Sequence, residues 1–258
     1  MHLIELLTKN QNASINLFCF HYGGGSNTSF YPWISKIPNF VELIAVELPG
    51  RGRNMSQPLL TNVHDIVKLM TEEIKHYLDK PCIFFGYSVG SLICFELAKA
   101  MRKQNLQLPL HLILAGSMAP QTLHKRRRIC HLDDVAFSEE LKIYNGIPKE
   151  VLNEPSLMEM FLPIIRSDIS IIENYNYSQN KPLDCNITTI TGKNDPTVTI
   201  EDAQAWADHA MLSHNHYTLE GDHFFVKTKL QEVINIVLQT INMHFEEDHS
   251  EPRTRLIH

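Results

Sequence analysis

Five residues, Gly86-Tyr87-Ser88-Val89-Gly90, constrain this chain more than any others because of what flanks them. Ahead of them runs Pro81-Cys82-Ile83-Phe84-Phe85, an apolar stretch of strand length. Behind them runs Ser91 to Met101, with apolar residues at helical spacing. A serine held between two glycines on a sharp strand-to-helix turn is a nucleophile elbow. The glycines matter because strand and helix backbones crowd each other there, and a side chain would collide. The helix start adds free N–H groups and a positive dipole end, both favouring negative charge beside the serine. A chance G-x-S-x-G in a loop would lack the flanking strand and helix.

The rest of the chain fits that turn. Strand-like apolar runs fall at Ile15–Phe20, Leu43–Glu47, Cys82–Phe85, His111–Ala115, Asn186–Thr191 and Tyr217–Leu219. Helical patterns lie between them, at Val63–Leu78, Leu92–Lys103, Asp202–Asp208 and Gln231–Phe245. Alternation of this kind predicts a mainly parallel sheet covered on both faces. The rhythm breaks between Ser117 and Lys181, a long and mostly helical stretch containing Pro148, Pro155 and Pro163. A structureless loop of that length is uncommon, so an insertion is expected. It leaves the sheet at the carboxyl edge, where ligands bind, so a helical lid is expected rather than extra surface helices. The fold class is therefore α/β: an α/β-hydrolase core with a mainly parallel sheet, flanking helices and an inserted lid. The expected division is core 1–116, lid 117–181, core 182–245 and a flexible polar tail 246–258.

Composition narrows the function. The 258 residues suit one large domain, and 43% hydrophobic content is enough for a sizeable core. The net charge of -6 offers no global basic field for nucleic acid. No apolar run reaches the ~18 residues of a membrane span. The N-terminal segment has an acid inside its apolar run and no small-residue cleavage site, so a mature cytoplasmic protein is expected. Cys19, Cys82, Cys94, Cys130 and Cys185 are scattered, without zinc-ligand spacing, and read as reduced core residues.

A serine hydroxyl needs a base, and the base needs an orienting carboxylate, in the chain order Ser, acid, His. The strand Ile187–Thr191 runs into the turn Gly192-Lys193-Asn194-Asp195-Pro196, which makes Asp195 the candidate acid. Asp184 and Asp202 are weaker, one before the strand and one in the next helix. After the last strand comes Gly221-Asp222-His223-Phe224-Phe225, so His223 is the candidate base. His209, His214 and His216 read as surface residues. His214 and His216 share a strand face, but no carboxylate or cysteine cluster accompanies them as metal ligands. An oxyanion needs two backbone N–H donors: Val89 follows the nucleophile, and Gly23 lies in the loop Tyr22-Gly23-Gly24-Gly25, with Tyr22 close behind. Neither G-x-x-x-x-G-K-[ST] nor G-x-G-x-x-G occurs there, so a phosphate loop is a poor reading.

On these residues the chain resembles the type II thioesterases, free-standing α/β-hydrolases that accompany nonribosomal peptide and polyketide synthetases. The resemblance spans nearly the whole chain: LFCFHYGGGSNTSFYPW, VELPGRGRN, GYSVGS, LAGSMAP, the long lid pattern from LDDVAFSEEL to IIENYNY, TGKNDPTV and LEGDHFFV. It places the family's catalytic residues on Ser88, Asp195 and His223. Two departures stand out. His21, Tyr22 and Gly23 replace the usual proline, histidine or phenylalanine, and alanine; Tyr87 and Val89 replace histidine and methionine at the elbow. Both keep a backbone N–H, but the acyl pocket wall changes. The resemblance implies hydrolysis of acyl thioesters from the phosphopantetheine arm of acyl or peptidyl carrier domains, clearing misprimed or stalled groups. It implies no metal and no cofactor, since phosphopantetheine belongs to the substrate. A general carboxylesterase would use the same triad on oxygen esters. No dimerisation signal is present, so a monomer is expected. His124-Lys125-Arg126-Arg127-Arg128 is the densest basic run, either a solvated face or a docking patch for an acidic carrier. Arg51 and Arg53 lie near the site and receive no catalytic role.

Overall fold

The computed structural model describes residues 2–143 and 154–247. Seven strands form one sheet: β1 (Ile4–Leu6), β2 (Ile15–Phe20), β3 (Val41–Val46), β4 (Cys82–Tyr87), β5 (His111–Ala115), β6 (Asn186–Gly192) and β7 (His214–Leu219). Their spatial order is β1-β3-β2-β4-β5-β6-β7. Every pairing is parallel except β1 with β3. The helices are α1 (Val63–Ile74), α2 (Val89–Lys103), α3 (Asp134–Lys142), α4 (Pro155–Glu173), α5 (Ile200–Gln204), α6 (Phe225–Thr228) and α7 (Leu230–Glu247).

Alternation along the strands builds two cores. Phe18, Phe20, Ile44, Phe84, Leu112 and Leu114 point to the face covered by α1 and α2. Leu17, Cys19, Leu43, Ile83, Phe85 and Ile113 point to the other, covered by α7 and by Phe30 and Trp33. β2, β3, β4 and β5 are buried throughout, as expected of strands covered on both faces. β7, at the edge, is half-buried.

The expected strands all form, and those at Ile15–Phe20 and His111–Ala115 form with the expected ends. Two elements escape the sequence reading. β1 is only three residues long, below the length at which alternation is visible. The segment Asn27–Lys36 coils as 3-10 helix around Pro32, which hides its helical period. The connection from β5 to β6 holds a 3-10 turn, Pro120–Lys125, then α3 and α4 with a small core of their own around Phe137, Leu141, Leu162 and Ile165. Pro148 and nearly all of the expected tail lie outside the described residues. Of that tail, Glu246 and Glu247 instead continue α7, because a formed helix adds hydrogen bonds past its last core residue. Cys130 is half-buried, unlike the four cysteines of the core.

From β2 the chain moves outward to β3, whereas from β4 it moves the other way to β5. The loops leaving the carboxyl ends of β2 and β4 therefore diverge across a crevice, the place where such sheets bind ligands.

Candidate active site

Ser88 sits between β4 and α2 at φ 55°, ψ −117°. This is a conformation that a residue with a Cβ rarely adopts, and such strain marks functional turns. The neighbours hold it there. The Ser88 N–H donates to the Ala115 carbonyl at 2.8 Å, and the Ser91 hydroxyl donates to the Gly86 carbonyl at 2.9 Å. A Cβ on Gly86 would lie 2.5 Å from the Ser91 Cα, and one on Gly90 would lie 2.4 Å from the Phe20 carbonyl oxygen. The two glycines thus let α2 pack onto its own strand and onto β2.

The three side chains expected to act together meet. His223, after β7, approaches the Ser88 Oγ with its Nε2 at 3.2 Å. Its Nδ1–H donates to Asp195 Oδ2 at 2.7 Å. That bond sets the tautomer in which Nε2 is the acceptor facing the serine hydroxyl. Asp195 follows β6. Its other oxygen, Oδ1, accepts the Thr197 N–H and hydroxyl, both at 2.8 Å. Burial alone would raise the Asp195 carboxyl, but the hydrogen bond and charge of His223, with the two Thr197 donors, outweigh it and hold it below the usual range. The Tyr87 hydroxyl donates to the His223 carbonyl at 2.7 Å, tying the base's loop to the elbow's strand.

Gly23 lies in the loop after β2, which touches the elbow through Gly90. Val89 is the first residue of α2. Neither N–H has a backbone partner among the described residues. Around the mouth, Tyr22 packs against Tyr87 and Phe224, with ring centroids 5.1 and 5.2 Å apart. The Lys227 ammonium stands 4.4 Å from the Tyr22 ring centroid.

Three residues that support the site were given no such role from sequence. Thr197 carries a faint signal, being two residues past an Asp in an Asp-Pro turn. Tyr87 lies inside the elbow motif, but its contact with His223 spans 136 positions. Asp168 stands as a lone acid in the apolar run Ile164–Ile172, and its partner is Arg51, 117 positions away.

The other candidates resolve as follows. His209 is buried, contrary to the surface reading: its Nε2 meets Gln121 Oε1 at 2.6 Å and its ring packs on Phe95 and Trp206. It ends the 3-10 helix Ala205–His209, which packs on Phe95 of α2, and Gln121 of the β5–β6 connection meets its ring nitrogen. His214 Nε2 and His216 Nδ1 lie 3.0 and 2.9 Å from the Thr189 hydroxyl and are only half-exposed. Among the described residues no three His, Cys, Asp or Glu side chains form a metal-sized group. Asp184 is exposed and Asp202 binds Lys125, so neither reaches His223. In the basic run Lys125 pairs with Asp202 and Arg127 with Glu140, while Arg128 donates to the Glu173 carbonyl.

The sequence pattern of the thioesterase domain family matches residues 15–241. The chain belongs to the thioesterase family. Its relatives include the gramicidin S biosynthesis protein GrsT of Aneurinibacillus migulanus, 35% identical over 91% of each chain. Among solved structures, ClbQ of the colibactin NRPS/PKS pathway is 30% identical, with a TM-score of 0.82 over 90% of this chain and 98% of its own. The type II thioesterase BorB of the borrelidin biosynthetic cluster is 26% identical, with a TM-score of 0.83 over 92% and 96%. The thioesterase's sheet, its elbow and its flanking helices are those of an α/β-hydrolase. Among the described residues of this thioesterase, no helix is long and apolar enough to cross a membrane.

Proposed function

We propose that this thioesterase is an editing enzyme of type II, which hydrolyses acyl groups from the phosphopantetheine arm of acyl or peptidyl carrier domains in a nonribosomal peptide or polyketide synthetase. The observation that carries the chemistry is the continuous line Ser88 Oγ, His223 Nε2, His223 Nδ1, Asp195 Oδ2. The class of substrate rests on the kinship with GrsT, ClbQ and BorB.

His223 Nε2 takes the Ser88 proton as Oγ bonds to the thioester carbonyl carbon. The carbonyl oxygen becomes an oxyanion, held by the N–H groups of Val89 and Gly23. The carbon–sulfur bond then breaks, and the departing sulfur takes the proton from His223. A water molecule, losing its proton to Nε2, attacks the acyl-enzyme; the acid leaves and Ser88 recovers its proton. Asp195 orients the imidazole and stabilises its cation throughout. The mechanism calls for no metal and no cofactor of the enzyme's own. The helices between β5 and β6 act as the cover of the site, since α4 lies against Gly23 and Gly24. We further propose a cytoplasmic monomer, the setting in which carrier domains of such synthetases are met.

The test is intact-mass tracking of an acetylated phosphopantetheinyl carrier beside a free acetyl ester, with wild type and Ser88→Ala. The carrier should lose its acetyl group faster than the ester, and only with Ser88 present. Cleavage of the ester with the carrier untouched would keep the triad and sink the editing role in favour of a carboxylesterase.

A further inference from the structure

We infer that Asp168 is a positioning residue for the oxyanion site, holding the glycine loop in place from helix α4 with Arg51 as its counter-ion. The inference rests on the reading of Ser88 as the nucleophile and of Gly23 as an oxyanion donor.

The Asp168 carboxylate is fully buried, and its partners account for both oxygens. Arg51 Nη1 donates to Oδ2 at 2.6 Å and Nη2 to Oδ1 at 2.7 Å, a bidentate pair. The Gly24 N–H donates to the same Oδ2 at 2.7 Å. Arg51 Nη1 also donates to the Gly25 carbonyl at 3.1 Å. The pair therefore grips the glycine loop by one N–H and one carbonyl, on the residues just after Gly23. Three distant segments meet here: the loop after β2, the loop after β3, and α4.

Packing reinforces the grip. Gly24 has φ +77°, and a Cβ there would lie 2.6 Å from Ile165 Cγ1 of α4; one on Gly23 would lie 3.6 Å from the Asp168 Cβ. The loop is thus pressed against the helix, not merely near it. The same stretch of α4 is fastened elsewhere: the Ser167 hydroxyl donates to the Leu60 carbonyl at 2.9 Å, and the Asn174 amide donates to the Thr61 carbonyl at 3.2 Å. The neighbouring His21, whose Nδ1 meets the Tyr22 carbonyl, is lowered to about 4 by burial and by Arg51, so at neutral pH it adds no charge that would compete for Asp168.

Energetics favour a positional role over a stabilising one. Burying two charges costs about as much as their attraction returns, and such pairs are weak contributors to stability. What the pair supplies is a fixed carboxylate oxygen for Gly24. An oxyanion hole works only if its donors stand in place before charge develops. The second half of α4 therefore belongs to the catalytic frame, and any opening of the insertion must spare it.

The experiment compares Asp168→Asn and the double variant Arg51→Met/Asp168→Leu with wild type. The double variant replaces the pair by apolar groups of similar size, which spares the fold, but leaves Gly24 without its acceptor. The readouts are turnover of a small soluble acyl thioester, inhibition by an alkyl boronate, and labelling of Ser88 by a fluorophosphonate followed by intact mass. The double variant should lose about a hundredfold in kcat and in labelling rate. KM should stay unchanged, boronate binding should weaken in step with kcat, and the pH midpoint of kcat/KM should not move. Asp168→Asn, which keeps an acceptor for Gly24, should lose less. If the double variant has wild-type near-ultraviolet dichroism and labels at the wild-type rate, the inference is wrong. It is also wrong if kcat falls while boronate binding holds. Labelling assumes no substrate, so the inference is decided even if wild type spares every thioester, an outcome that would overturn only the proposed function.

Discussion

Two glycine-bearing turns leave neighbouring parallel strands and end at the same crevice, yet they are held by different means. The elbow, Gly86 to Gly90, is fixed mainly by backbone, Ser88 N–H to Ala115 and Gly90 against Phe20, with the Ser91 hydroxyl on Gly86 beside them. The loop after β2 is fixed by side chains from afar, Asp168 and Arg51, 144 and 26 positions from the loop atoms they hold. The elbow holds Ser88, the proposed nucleophile, at one strained φ, and close backbone packing enforces that. The loop needs only to aim an N–H, and an outlying carboxylate suffices. A turn that needs glycines at fixed spacing is visible in a sequence motif; a carboxylate and a guanidinium that meet across 117 positions are not.

The comparison would sharpen most at Asp195. It too is held locally, by Thr197 two positions on. Asp195→Asn keeps that turn and should lower kcat about ten-thousandfold with little change in fold, because the imidazole loses its tautomer and counter-charge. Stopped turnover assays beside a thermal melt would check it. Near-normal turnover would move the acid elsewhere.

Next comes a direct contest between the two turns. In Gly90→Ala the new methyl meets backbone, the Phe20 and His21 carbonyls, at 2.4 and 2.8 Å. Backbone cannot yield without shifting β2 from α2, so a loss of about 3 kcal/mol or more is expected. In Gly24→Ala the methyl meets the Ile165 side chain at 2.6 Å, which must shift against its stiff χ1, and the left-handed φ of +77° adds about 1–2 kcal/mol, but no backbone has to move, so the loss should be the smaller of the two. Urea denaturation of both variants reports the order. Equal losses would mean that side-chain and backbone restraint are equivalent here.

These contrasts explain how much of the molecule was legible. The strands were, because buried parallel strands are apolar throughout, and so was the meeting of Ser88, Asp195 and His223, because chain order together with a place after the last strand selects His223 from fourteen histidines. β1 and the 3-10 helix around Pro32 were not, one for shortness and one for lack of a helical period. His209 was misplaced as surface because the partners that enclose it, Phe95 of α2 and Gln121 of the β5–β6 connection, lie far from it in sequence and leave no local signal. Arg51 was visible as a nearby cation, but its partner Asp168 stood out only as an acid in an apolar run.

A smaller effect is expected at Tyr87, inside the elbow motif. Its hydroxyl reaches from the elbow's strand to the His223 carbonyl. Tyr87→Phe keeps the ring contacts with Tyr22 and His223 and removes only the donor. A buried carbonyl left without that donor should cost about 1–3 kcal/mol. A drop in kcat larger than the drop in stability would show that the bond also aims the base. Unchanged stability would mean that the carbonyl is satisfied otherwise.

The smallest effect concerns pH, and it separates buried histidines from the triad. Burial, with His244 adding to it, lowers His111 to about 3, and burial lowers His209 to about 4. A histidine whose folded value lies below its unfolded value of ~6.5 is protonated first in the unfolded chain. The unfolded state then binds more protons, so stability falls as pH drops through 6.5 and goes on falling until the folded value is reached. Each such histidine should remove on the order of 1 kcal/mol by about pH 5. Asp195 has the same sign in a lower window. Its carboxyl is held below the usual range, so its contribution is full above the unfolded value of ~3.9 and is lost only as pH falls beneath that. Denaturation of wild type and His111→Gln at pH 7 and pH 5 tests the separation. The variant should start less stable, having lost its bonds to His244 and Thr188, but should lose less between the two pH values. A variant that loses as much as wild type over that interval would show that His111 is not the group that couples acid to unfolding.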